Sequence, residues 1–194
     1  MDRGRAQACM WWVAVLRLPA QRPPVGATLR AMFKRRVGAS EIEVGELALG
    51  TWALSGEAYG PMDAAMGRDL LRAALDEGVT LIDTAPCYGD AGAVEERIGE
   101  VLAERGRDVA KVCTRIGVLR TGDGGARRMF TPHALRAGLE ASLKRLRTDH
   151  VDVVMLHNPL AQTLRDGEAA GALEALKKVG KTRLVGVCVG SAEA

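Results

Sequence analysis

Five short β-rich runs recur along this chain after residue 32, each followed by an amphipathic helical run. The strand candidates are Leu47–Thr51, Val79–Thr84, Val109–Thr114, Val151–His157 and Arg183–Val189. Their starts lie 32, 30, 42 and 32 residues apart, the length of a βα unit. Largely continuous apolar runs of this kind suit parallel strands, and alternation at this spacing means an α/β fold. Between them, Val94, Ile98, Val101 and Leu102 fall on one helical face, as do Leu135, Leu139, Leu143 and Leu146. Thr131-Pro132 supplies an N-cap and a first-turn proline. Gly78, Gly106 and Gly180 stand where helices should end. Phe33–Arg36 and Ile42–Val44, flanking Gly38-Ala39-Ser40, predict a small hairpin ahead of the first βα unit.

Two architectures share this alternation, a doubly wound sheet and a (β/α)8 barrel. The first should show GxGxxG after its opening strand. The sequence there runs TWALSGEAYGPMD, which lacks that spacing, and the barrel is favoured.

Charge divides the chain in two. Residues 1–36 carry eight basic residues and one acidic, leaving 19 basic and 23 acidic in the remainder. The excess of positive charge therefore belongs to a leading segment and not to a nucleic-acid-binding face. Residues 1–31 read as a basic, disordered leader and 32–194 as the folded part, with Met32 a natural start. Ala8–Leu16 looks like a short signal-peptide core, but Arg17 interrupts it and no clean cleavage site follows. No apolar run approaches the ~18 residues of a membrane span. The four cysteines, Cys9, Cys87, Cys113 and Cys188, are widely spaced, which suits a reducing cytoplasm.

The polar residues at the strand ends carry the chemistry. Asp83 ends the second strand, Arg115 the third and His157 the fourth, and Cys188 lies near the end of the fifth. Tyr88 is five residues beyond Asp83. Functional groups of a barrel sit at the C-terminal ends of its strands, so these converge on one mouth. A tyrosine hydroxyl is a weak acid. A neighbouring cation is expected to lower its pKa, a carboxylate to position that cation, and a histidine to orient a carbonyl. Taken singly, each has a plainer role: a helix-capping aspartate, a packed tyrosine, a core histidine.

These residues resemble the aldo-keto reductase family, from about Phe33 to Ser191. The match comprises LALGTW (47–52), LIDTAPCYG (81–89), EERIGEVL (95–102), VCTRIG (112–117), SLKRLRTDHVDVVMLHNP (142–159) and GKTRLVGVCVG (180–190). The resemblance implies a (β/α)8 barrel that reduces aldehydes and ketones with non-covalent NADP(H) or NAD(H) and no metal. It casts Tyr88 as general acid, Asp83 as partner of the catalytic cation and His157 as the residue that orients substrate. Tyr88, His157 and Asn158 would face the small-molecule carbonyl. Gly50, Thr51, Trp52, Asp83 and Cys188 would face the cofactor.

Three departures stand against the family pattern. Arg115 fills the catalytic lysine position, and arginine is a larger, permanently charged fork. Lys111 is four residues earlier, roughly 13 Å away along a strand, and does not substitute. The Ser-Asn pair that holds the nicotinamide amide is Cys188-Val189 here. By count the sequence holds five barrel strands, so a partial barrel is expected, with open edges at the first and fifth strands and self-association through them. The competing readings are a catalytically inactive remnant, and thiol or metal chemistry. The latter would use Cys113, its pKa lowered by Arg115, with Cys87, His157 and Cys188.

Overall fold

The five parallel strands line up side by side in chain order. The computed structural model describes residues 33–57, 59–121 and 125–190. The basic leader, Met32, Cys9 and residues 191–194 lie outside that range.

A hairpin comes first: β1 (Lys34–Arg36) pairs antiparallel with β2 (Glu43–Gly45). Ser40 closes its turn, donating to the Val37 carbonyl at 2.6 Å and accepting from the Ile42 amide at 3.2 Å. The chain then alternates through β3 (Leu49–Gly50), α1 (Ala64–Asp76), β4 (Leu81–Thr84), α2 (Ala93–Arg105) and β5 (Lys111–Ile116). A second hairpin, β6 (Val118–Arg120) with β7 (Ala126–Arg128), leads into α3 (Pro132–Leu146) and β8 (Val151–His157). The last elements are α4 (Ala161–Arg165), α5 (Glu168–Lys178) and β9 (Thr182–Cys188). The sheet order is β3-β4-β5-β8-β9, parallel throughout. Among the described residues no helix is long and apolar enough to cross a membrane.

The helices form where the sequence predicts. Asp63 caps α1, its carboxylate accepting from the Met66 amide at 2.7 Å, and Thr131 caps α3, accepting from Ala134 at 3.3 Å. Helices α1, α2, α3 and α5 pack in succession over one face of the sheet. Ile82, Val112, Ile116, Val154 and Leu156 of that face are buried against Leu71, Ile98, Leu139 and Leu173. Each fully buried leucine or isoleucine stabilises by about 1.5–3 kcal/mol. The opposite face carries Leu81, Asp83, Cys113, Arg115, Val153, Met155 and Leu184 along its strands, and it is here that the polar residues gather. Gly186 lies beside Met155, where a Cβ would come within 3.3 Å of the Met155 side chain.

Several boundaries differ from expectation. The Leu47–Thr51 run contributes only Leu49–Gly50 to the ladder. β5 begins at Lys111, and Arg107–Val109 form a short turn instead. Arg107 is the reason: its guanidinium reaches Thr148, the carbonyls of Ala110 and His150, and Asp152. Arg115 lies in β5, one residue before its end. The β6–β7 hairpin had no predicted counterpart. Gly117 opens it with φ 96°, and a Cβ there would strike the Phe130 ring at 2.2 Å.

Candidate active site

Strand pairing brings the strand-end residues together. Asp83 pairs with Cys113, two residues before Arg115, while His157 pairs with Cys188. Side chains two apart on a strand share a face. Asp83 and Arg115 therefore meet across adjacent strands of the inner face, with His157 on the next strand.

The arginine fork spans the cluster. Arg115 Nε donates to Asp83 Oδ1 at 3.1 Å, and Nη2 donates to Asp83 Oδ2. Nη1 donates to the Tyr88 hydroxyl oxygen at 3.2 Å. The Arg115 side chain is 8% exposed and that of Asp83 13%. Tyr88 is buried, and its ring meets that of His157 edge-on, with centroids 6.2 Å apart. His157 Nδ1 lies 3.5 Å from Cys87 Sγ. Lys111 sits at the other end of β5, with Nζ 3.9 Å from Asp152.

Burial dominates the electrostatics. It pushes the Asp83 carboxyl up to about 6, against the pull of Arg115. It lowers His157 to about 4, with Arg115 and Arg128 adding to the effect, so the imidazole is neutral at pH 7. Burial opposes the charge of Arg115, but Asp83 together with Tyr88, Cys188 and Cys113 outweighs it, and the guanidinium is held above its ordinary range. For Tyr88 the sequence-based expectation is reversed. Burial raises the hydroxyl well above an ordinary phenol, and Arg115 only moderates the rise. The thiol reading is reversed in the same way. Cys113 is pushed well above an ordinary thiol by burial and by Asp83, and Cys87 rises to about 11.

The remaining predicted residues surround this core. Gly50 pairs with Asp83 at the exposed end of β3. Thr51 is fully buried, and both its amide and its hydroxyl donate to the Asp83 carbonyl, at 3.0 and 2.9 Å. Trp52 is half-buried and begins a short helical turn over 52–55. Asn158 takes a left-handed conformation, φ 50°. Its amide donates to the Cys188 carbonyl at 2.7 Å and its Oδ1 accepts from the Gly190 amide at 3.2 Å, clamping the exit of β9. Among the described residues no group of three His, Cys, Asp or Glu side chains could hold a metal ion.

Cys87 and His157, grouped in the thiol reading, do meet, though 70 residues apart. Another feature escaped the sequence. A second buried ion pair, Glu95–Arg145, lies behind the site on the helix-facing side. Its only sequence signal is a carboxylate directly after Val94 on an apolar helix face.

Comparison with known proteins adds a consistent picture. A family model described as "Aldo/keto reductase family" matches residues 46–194. The chain is 39% identical over 153 residues to the aldo-keto reductase YhdN of Bacillus subtilis (strain 168), covering 75% of this chain and 44% of that protein. It is 30% identical over 174 residues to the NADH-specific methylglyoxal reductase of Escherichia coli (strain K12), covering 80% and 51%. Among solved structures, an aldo-keto reductase from Bacillus halodurans in its holo form superposes with a TM-score of 0.73 at 29% identity, over 81% of this chain and 50% of that one. The chain thus spans about half the length of the curated relatives it matches.

Proposed function

The chain belongs to the aldo/keto reductase family, and from that premise we propose that it takes part in NAD(P)H-dependent reduction of aldehydes and ketones, with Tyr88 as general acid. The observation that carries this reading is the single guanidinium of Arg115 bridging Asp83 and Tyr88. Because Arg115 donates to the Tyr88 oxygen, the hydroxyl proton is left for a carbonyl oxygen. Negative charge develops on the phenolate as that proton leaves, and Arg115 stabilises it where water is largely excluded. Asp83 holds the fork from its other side.

His157 takes the orienting role. The Cys87 thiol is protonated at pH 7 and can donate to Nδ1, which puts the imidazole proton on Nε2. That N–H can then donate to the substrate carbonyl, with Asn158 alongside. A reduced nicotinamide, when bound, supplies the hydride. Gly50, Thr51, Trp52, Asp83 and Cys188 are the residues that would hold it. The fit rests on their chemistry: the exposed Gly50 and the half-buried Trp52 and Cys188 offer uncharged groups at open strand ends, suited to a flat uncharged ring. The wide spacing of the cysteines suits a reducing cytoplasm.

The name of the Escherichia coli relative makes methylglyoxal the first carbonyl to test. The purified chain should oxidise NADPH or NADH with methylglyoxal, and Tyr88→Phe should slow it at least about a hundredfold. An undiminished Tyr88→Phe variant sinks the assignment of Tyr88. A second reading, a fold retained without turnover, draws on Cys188 and Val189, which lack the amide-pairing groups of the family's Ser-Asn. It expects no saturable change in nicotinamide fluorescence on titration, whereas the reductase reading requires one.

A further inference from the structure

Directly behind the site, on the helix-facing side of the sheet, Glu95 of α2 is fully buried. Its Oε1 accepts from the Thr114 hydroxyl at 2.7 Å, its Oε2 accepts from Arg145 Nε at 2.9 Å, and Arg145 Nη2 lies 2.7 Å from Oε2 in an ion pair. Arg145 also donates to the Ser142 hydroxyl at 3.2 Å. Three elements, α2, α3 and β5, are thereby tied at one carboxylate.

Two links run from this carboxylate to the site. The first is Thr114, the residue before Arg115 on β5. Successive strand side chains point to opposite faces, so Thr114 turns to α2 while Arg115 turns to Asp83. Thr84, which follows Asp83, is the cross-strand partner of Thr114, but its hydroxyl is buried with no hydrogen-bond partner. Of these two threonines, Thr114 carries the link to the helices. The second link is Arg145, which passes under the loop bearing Tyr88. A Cβ on Gly92 would lie 2.4 Å from Arg145 Nε, and one on Gly99 2.2 Å from the Arg145 carbonyl oxygen. Both glycines let α2 and its leading loop close down on Arg145. That loop is bound to the helix by the Val94 amide, which donates to the Tyr88 carbonyl at 3.4 Å.

We infer that Glu95 is a positioning residue that never touches substrate: through Thr114 it fixes the part of β5 that aims Arg115, and through Arg145 it seats the loop that carries Tyr88. The inference rests on the proposed role of Tyr88 as proton donor. Substituting Glu95 itself strands a buried arginine and threatens the fold, so the test goes through Thr114. The full chain is compared with Thr114→Val, which keeps the shape and loses the hydroxyl, and with Thr114→Ser, which keeps the hydroxyl. Two quantities are read: steady-state kinetics with methylglyoxal, and the NMR titration of the His157 imidazole, assigned by its loss in His157→Gln.

Thr114→Val is expected to lower kcat about tenfold while KM for the aldehyde stays within about twofold. The His157 midpoint should move upward from about 4, because Arg115 is among the groups that hold it down. Thr114→Ser should match the parent in both. A folded Thr114→Val variant with kcat and His157 titration unchanged overturns the inference. So does a Thr114→Ser variant that falls as far as Thr114→Val, since the loss is then one of methyl packing. If the parent reduces no carbonyl, the reading of Tyr88 fails, yet the His157 titration still decides the part played by Glu95. Upward movement supports it and an unchanged midpoint overturns it.

Discussion

Two arginine–carboxylate pairs are buried on opposite faces of the same sheet, and they differ in what is left over. Glu95 has both oxygens occupied, one by Thr114 and one by Arg145, and Arg145 also holds Ser142. Asp83 likewise has both oxygens on Arg115, but the third guanidinium nitrogen reaches the hydroxyl of Tyr88. Beyond Tyr88 lie a neutral imidazole and a protonated thiol. The helix-side pair ends in the hydroxyls of Thr114 and Ser142, whereas the inner pair reaches an imidazole and a thiol beyond Tyr88. A buried ion pair is weak evidence for stability by itself. Its surroundings separate a structural pair from one placed to do chemistry.

That contrast predicts unequal costs of disruption. Glu95→Ala leaves Arg145 without its carboxylate under a tight loop, and about 3–5 kcal/mol of stability should be lost in urea unfolding. Arg115→Ala should cost less, about 2 kcal/mol, because the Asp83 carboxyl is partly open to water and can take a proton. Equal losses would break the distinction between the pairs.

The inner cluster should also reveal itself through pH. His157 falls from an ordinary 6.5 to about 4 in the folded chain. Its contribution to stability is full above pH 6.5 and is lost as pH falls toward 4, roughly 3 kcal/mol in all. Asp83 rises from 3.8 to about 6, the opposite sense. Its contribution is full below pH 3.8 and is lost as pH rises through 6, again roughly 3 kcal/mol. Between pH 4 and 6 the two oppose each other, so this cluster leaves the parent's stability nearly flat. His157→Gln should make the protein gain stability on acidification across that window, and Asp83→Asn should make it lose stability. Parallel slopes for the two variants would show that the groups do not titrate as a cluster.

How much of this was legible in the sequence depended on which force set each feature. Asp83 and His157 could be placed at strand ends because apolar runs define where strands stop. The start of the third strand was set too early because Arg107, tied to four partners, draws Arg107–Val109 into a turn that the apolar Val109 disguises. The sign of the Tyr88 shift was missed because a sequence shows a neighbouring cation but not the depth of burial that outweighs it. Glu95 and Arg145 were missed because charges on a helix ordinarily read as a solvated face. The β6–β7 hairpin was missed because TGDGGARR shows no alternation of apolar and polar residues.

The smallest expected effect is also the finest probe of the contrast, since it keeps every charge. Lysine is a single ammonium on a flexible stem and cannot reproduce a planar fork. Arg115→Lys must choose between Asp83 and Tyr88, but the Asp83 carboxyl, 13% exposed, can take a proton and so tolerates a lost contact. A loss of about 1 kcal/mol is expected, readable as a small drop in urea midpoint. Arg145→Lys must instead replace two contacts to a fully buried carboxylate and one to Ser142, with Gly92 packed close against the side chain. About 2 kcal/mol is expected there. If Arg115→Lys costs more than Arg145→Lys, the inner carboxylate is as intolerant of a lost contact as the outer one, and the distinction drawn between Asp83 and Glu95 is wrong.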